Sequence, residues 1–179
     1  MQERQGEAKE MTGLAPTNLS RRQIHQLAEQ FAQTTSYVPG ETDIIKYVKT
    51  QLKGKIEYTD IPKDSAGGSI AVRGKENFTI YLSKATSHKR DVFTIAHELG
   101  HYFLHSRLGE VPISANRSED IDETEKEANS FAAAFLMPEA KVKGLFDEKN
   151  GNISALADAF NVSLSAMSWR CVNLGLKKA

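Results

Sequence analysis

The sequence predicts an α+β fold, and two observations carry the prediction. Strand-like runs are confined to one stretch between residues 56 and 82, and helical periodicity fills the chain on either side of it. Segregation of this kind excludes the strand-helix alternation that builds parallel βαβ units. With 179 residues, 40% of them hydrophobic, the chain can bury one proper core, and its length suits a single domain.

Taken in order, residues 1–17 are polar, are broken by Gly6, Gly13 and Pro16, and read as a flexible leader. From Asn18 to Phe31 the apolar residues Leu19, Ile24, Leu27, Ala28 and Phe31 recur at helical spacing, with Ser20 in position to cap the first turn. Beyond the Pro39-Gly40 break, a second helix carries Ile44, Ile45, Val48 and Leu52 on its buried face; Thr42 or Asp43 caps it and Gly54 stops it. Three strands follow at Ile56–Thr59, Ser69–Arg73 and Phe78–Leu82, with turns at Gly67-Gly68 and from Gly74 to Asn77. They predict a small three-stranded sheet, antiparallel or mixed, with Phe78, Ile80 and Leu82 on one face. The strand Ile70–Arg73 or Phe78–Leu82 is expected at a sheet edge, where an extended peptide can pair with it.

Helices then run from about His88 to His105 and from about Glu119 to Leu136, separated by a loop from Ser106 to Ser118; Pro138 ends the second. Residues 149–179 read as a helical pair turning at Asn161, with Ser163 capping its second helix. Leu156, Phe160, Met167, Trp169 and Leu174 are expected to pack this pair on the core and to leave a docking surface for a protein partner.

Lys plus Arg equals Asp plus Glu at 23 each, so no overall field draws the chain to nucleic acid or to an anionic membrane. The C-terminal pair has helix-turn-helix spacing, but its second helix offers only Arg170, with Lys177 and Lys178 beyond it, so direct DNA binding is not expected. No apolar run is long enough for a bilayer. A single cysteine, Cys171, excludes an internal disulfide and reads as a buried thiol in a reducing cytoplasm.

The chemistry concentrates in Thr94-Ile95-Ala96-His97-Glu98-Leu99-Gly100-His101, which holds H-E-x-x-H inside an apolar helix. Spacing of i and i+4 puts two imidazoles on one face about 6 Å apart along the axis, close enough to share an ion. Glu98, rotated about 100° from His97, stands beside that ion, where it can take a proton from a water. A carboxylate buried between histidines needs compensation, and a metal supplies it. His105 lies about 12 Å along the axis from His97, too far to share the ion, and reads as a second-shell or substrate-facing group. The third ligand must come from another element, and the next helix along the chain offers candidates. Glu125 shares a face there with Asn129 and Ala132, so ligand and supporting amide look inward together; Glu127, aligned with Phe131 and Ala134, is the alternative. Tyr81 and Arg90 are candidates to polarise a substrate carbonyl or bind its carboxylate, although a structural Tyr and a surface Arg are commoner.

From about Ile70 to Pro138 the residues resemble the ImmA/IrrE family of bacterial metallopeptidases. The resemblance rests on two linked motifs, Phe93 through His101 with Leu104-His105, and Glu127-Ala128-Asn129-Ser130-Phe131-Ala132-Ala133 running into Leu136-Met137-Pro138. It implies a zincin-like domain over residues 18–148 with a gluzincin-like site: His97, His101 and Glu125 on one Zn2+ and Glu98 as the catalytic base. It further implies a zinc endopeptidase whose protein substrate is a helix-turn-helix repressor, cleaved to relieve repression in mobile-element or stress responses. The alternative is a regulatory module that keeps the metal fold and docks a regulator or DNA with little turnover. Retention of Glu98, which a structural zinc site does not need, favours the enzyme.

Overall fold

A computed structural model describes residues 14–60, 68–116 and 123–178. The expected leader up to residue 13, the turn at Gly67 and the segment 117–122 at the expected start of the second long helix lie outside the described residues. In chain order the elements are α1 (Arg21–Thr34), α2 (Ile44–Thr50), β1 (Lys55–Thr59), β2 (Gly68–Gly74), β3 (Asn77–Ser83), α3 (His88–Gly100), β4 (Ile113–Asn116), α4 (Glu123–Leu136), α5 (Glu139–Glu148), α6 (Ile153–Ala159) and α7 (Leu164–Asn173). The architecture is mixed α+β in one domain.

Local chemistry accounts for most boundaries. Ser20 and Gln23 form a reciprocal capping box at α1, Asp43 caps α2 through the amides of Ile45 and Lys46, and Ser163 caps α7. The expected role of Gly54 is different in the fold. Lys53 adopts the positive φ of 55° after α2, while a Cβ on Gly54 would fall 2.3 Å from the Phe78 ring. The glycine makes room for packing, and Lys53 turns the chain.

The sheet has four strands in the order β1-β3-β2-β4, with β1 parallel to β3 and the other pairs antiparallel. This corrects the expectation of three strands, because the loop after α3 contains β4, which pairs with β2 from Ser69↔Asn116 to Val72↔Ile113. It also corrects the expected edge. β2 and β3 are both interior, and β1 and β4 are the edges. Four residues of β4 are too few for a strand period to stand out from the polar residues around them.

One face of the sheet, with Ile70, Val72, Phe78, Ile80 and Leu82 buried, lies under α3. On the far side of α3, helix α4 is clasped by α1, and their contact is aromatic: Phe31–Phe131 centroids lie 6.1 Å apart and Phe31–Phe135 6.0 Å. Helix α4 is therefore buried nearly all round, with Ala128, Phe131, Ala132, Ala133, Ala134 and Phe135 inaccessible.

The C-terminal pair packs as expected through Leu156, Phe160 and Met167, with Leu174 partly covered, but Trp169 is 48% exposed. Met167, Arg170 and Cys171 form the inward stripe at i, i+3 and i+4. Trp169, two residues after Met167, is rotated off that stripe. Arg170, read from sequence as the one base on this helix, is instead buried, and its Nε donates to the Met137 carbonyl at 3.0 Å. Among the described residues no helix is long and apolar enough to cross a membrane.

Candidate metal centre

Helices α3 and α4 bring the candidate ligands together because they cross at two small residues. A Cβ added to Gly100 would lie 3.0 Å from the Ala128 Cα and 3.1 Å from its carbonyl oxygen, so the backbones touch there. One turn earlier on α4, Glu125 reaches back to both imidazoles. His97 Nε2 lies 3.2 Å from Glu125 Oε2, His101 Nε2 lies 3.1 Å from Glu125 Oε1, and the two Nε2 atoms are 3.1 Å apart.

Donors held about 2.05 Å from an ion in tetrahedral directions stand about 3.3 Å from one another. The three observed separations match this spacing, and all three residues are buried. Burial by itself would raise the Glu125 pKa, but when no metal is bound and the rings carry protons at Nε2, His101 and His97 donate to the carboxyl and hold it well below the usual carboxylate range; a metal ion would take the place of those protons. The group is thus poised as an anion beside two nitrogen donors, a set able to hold a divalent metal ion.

Outer partners fix which nitrogen of each ring is free. His97 Nδ1 lies 2.9 Å from Asn129 Oδ1, an oxygen that only accepts, so Nδ1 carries the proton and Nε2 presents its lone pair. His101 Nδ1 lies 3.0 Å from His105 Nδ1, and His105 Nε2 lies 2.9 Å from Glu127 Oε2. The arrangement consistent with a carboxylate end is His105 Nε2–H donating to Glu127 and His101 Nδ1–H donating to His105, which again leaves Nε2 free. Glu127 is secured by Thr17, whose amide donates to both carboxylate oxygens at 3.1 and 3.0 Å and whose hydroxyl donates at 2.7 Å. Burial would raise the Glu127 pKa, yet these bonds from Thr17 and His105 hold it below its ordinary value.

Chain geometry sets the relay. Beyond Gly100 the helix widens into a π-helical turn, His101–His105, closed by the Ser106 amide on the His101 carbonyl. Such a turn holds more than four residues, so His105, four on from His101, returns to nearly the same angular position. The sequence reads one regular α-helix here. His105 is a neighbour of His101 through the widened turn as it would be at i+4 of a regular helix, and it lies outside the three-donor group.

Glu98 is buried beside His97, and its Oε1 would lie 3.3 Å from a Cβ on Gly68, which places its carboxylate at the first residue of β2. Other candidates fall elsewhere. Glu127 stands two residues after Glu125, on His105 and Thr17. Tyr81 is on the sheet face opposite α3, since its register partner is Ser69 while Gly68, on the α3 face, pairs with Leu82. Arg90, on the first turn of α3, is exposed and lines a groove against α7. Sequence reading misses Thr17, which sits in an apparently featureless leader. It also misses the crossing at Gly100, for which the glycine inside H-E-L-G-H is a usable signal.

Comparisons with known proteins give the family and the fold. Residues 51–171 match the family model for the IrrE N-terminal-like domain, a peptidase family. The metallopeptidase ImmA of Bacillus subtilis (strain 168) is 28% identical over 105 residues, which is 58% of this chain and 60% of that protein. A solved transcriptional regulator of Mycobacterium tuberculosis shares the fold with a TM-score of 0.61 at 18% identity, over 87% of this chain and 48% of that one. The chain thus spans less than two thirds of the length of either relative.

Proposed function

This chain belongs to the ImmA/IrrE family of metallopeptidases, and from that premise we propose that it is a zinc endopeptidase that cleaves a helix-turn-helix transcriptional repressor in the cytoplasm and so relieves repression. The observation that carries the reading is the meeting of His97, His101 and Glu125 at donor separations of 3.1–3.2 Å with Glu98 next to them in the chain. Two imidazoles and one carboxylate suit zinc and leave its fourth position for a ligand.

Bound there, zinc would supply Lewis acidity, lowering the pKa of a water to about 7 and polarising the scissile carbonyl. Glu98 would serve as the base that takes a proton from an attacking water and returns it to the departing amine. Its low exposure strengthens both transfers by excluding competing solvent. Asn129 and His105 hold the two rings with Nε2 inward, and Glu127 anchors His105. Regulation through a repressor is carried over from the family resemblance; the relative that is a transcriptional regulator supports the fold alone.

The test is to incubate zinc-loaded wild type and Glu98→Gln with a co-encoded helix-turn-helix repressor and separate the products. The proposal expects two defined fragments with wild type and none with the variant, although both hold zinc. Equal fragment yields would remove Glu98 from its role. An intact repressor held in a complex by both proteins would favour the docking module.

A further inference from the structure

A groove of about 740 Å³ runs between the first half of α3 and the first half of α7. Its walls include Phe93 and Ala166, both partly covered, and Trp169, 48% exposed. Isolated apolar residues on a surface need no explanation, but a large indole and a phenyl ring facing one cavity form a ready site for an apolar side chain. The groove runs toward the candidate metal centre. Asn129, whose amide oxygen holds His97, also lines it, as does Thr94, one turn before Glu98 on the same face of α3.

Its charge is one-sided in a chain that is neutral overall. Lys89 and Arg90 line it and no acidic residue does. Lys89 is engaged by Asp158 at 2.8 Å, while Arg90 has no ion pair among the described residues. An exposed guanidinium beside an aromatic wall suits a carboxylate next to an apolar side chain.

We propose that this groove is a specificity subsite for the substrate polypeptide, taking a large apolar side chain against Trp169 and Phe93 while Arg90 pairs with an acidic residue adjacent to it. The proposal rests on the peptidase reading for its purpose but not for its test, because Trp169 is the only tryptophan in the chain and reports occupancy directly.

The experiment titrates the zinc-loaded Glu98→Gln chain with blocked hexapeptides carrying Glu-Phe, Lys-Phe or Glu-Ala at their centre and follows Trp169 emission. Saturable blue-shifted emission is expected with Glu-Phe, and binding about tenfold weaker with each of the other two. Arg90→Glu, an exposed position checked for folding by thermal melting, reverses the order of Glu-Phe and Lys-Phe. Equal binding of all three peptides, or binding that leaves Trp169 emission unchanged, overturns the proposal. Wild type run on the same peptides separates the two readings. Discrimination without cleavage of any peptide or protein sinks the peptidase reading and keeps the subsite, whereas cleavage indifferent to these residues keeps the peptidase and sinks the subsite.

Discussion

Replacing Gly100 with alanine tests how the two helices set the ligand spacing. The added Cβ would sit 3.0 Å from the Ala128 Cα, against about 3.5 Å for a relaxed carbon contact, so α4 must retreat by about 0.5 Å at the crossing. Glu125 is one turn from that point, and ligand distances tolerate only about 0.2 Å. Zinc affinity should therefore fall about tenfold or more. Stability of the metal-free chain moves less: overpacking costs about 1–3 kcal/mol, and a helical glycine replaced by alanine returns about 1 kcal/mol. Gly144 is the control, since it lies within α5 and a Cβ there would meet nothing within 4 Å. Gly144→Ala should stabilise by about 1 kcal/mol and leave zinc untouched. Competition against a chelating dye gives the affinities, and urea unfolding of the metal-free proteins gives the stabilities. Wild-type affinity in Gly100→Ala would refute the argument that close approach of α3 and α4 positions Glu125.

Glu127→Ala removes the acceptor for His105 and for Thr17, so zinc affinity should drop about tenfold and the Thr17 amide should exchange with deuterium as a free segment does; unchanged values for both would exclude the relay. His25 gives a pH prediction away from the site. Burial, then Arg170 and Arg21, depress its pKa from 6.5 to about 4, with Glu139 opposing. The unfolded chain thus binds a proton that the folded chain refuses, and stability present above pH 6.5 is lost as pH falls toward 4. His25→Gln should flatten that part of the urea-midpoint profile relative to wild type, and identical slopes would contradict it.

The H-E-x-x-H spacing was legible in sequence because two imidazoles at i and i+4 on an apolar helix have one economical explanation. Glu125 was legible too, through the shared face with Asn129, since both lie in one regular helix where angular position follows from residue number. What sequence could not show depends on departures from regularity or on distant contacts. The π-helical turn after Gly100 departs from the regular α-helical period without any proline to announce it. Thr17 meets Glu127 across 110 positions of sequence, and β4 is too short to carry a period. Trp169 looked like core because it is apolar, although its offset from Met167 puts it on the outer face.

The central claim is that two imidazoles from α3 and one carboxylate from α4 hold a single metal ion. Zinc-edge X-ray absorption, with metal analysis of the zinc-loaded chain, addresses it most directly. The account predicts one zinc per chain, with two imidazole nitrogens and carboxylate oxygen at about 2.0–2.1 Å, and loss of that zinc in His97→Ala and in Glu125→Ala. A Glu125→Ala protein that keeps its zinc in an unchanged shell would contradict it.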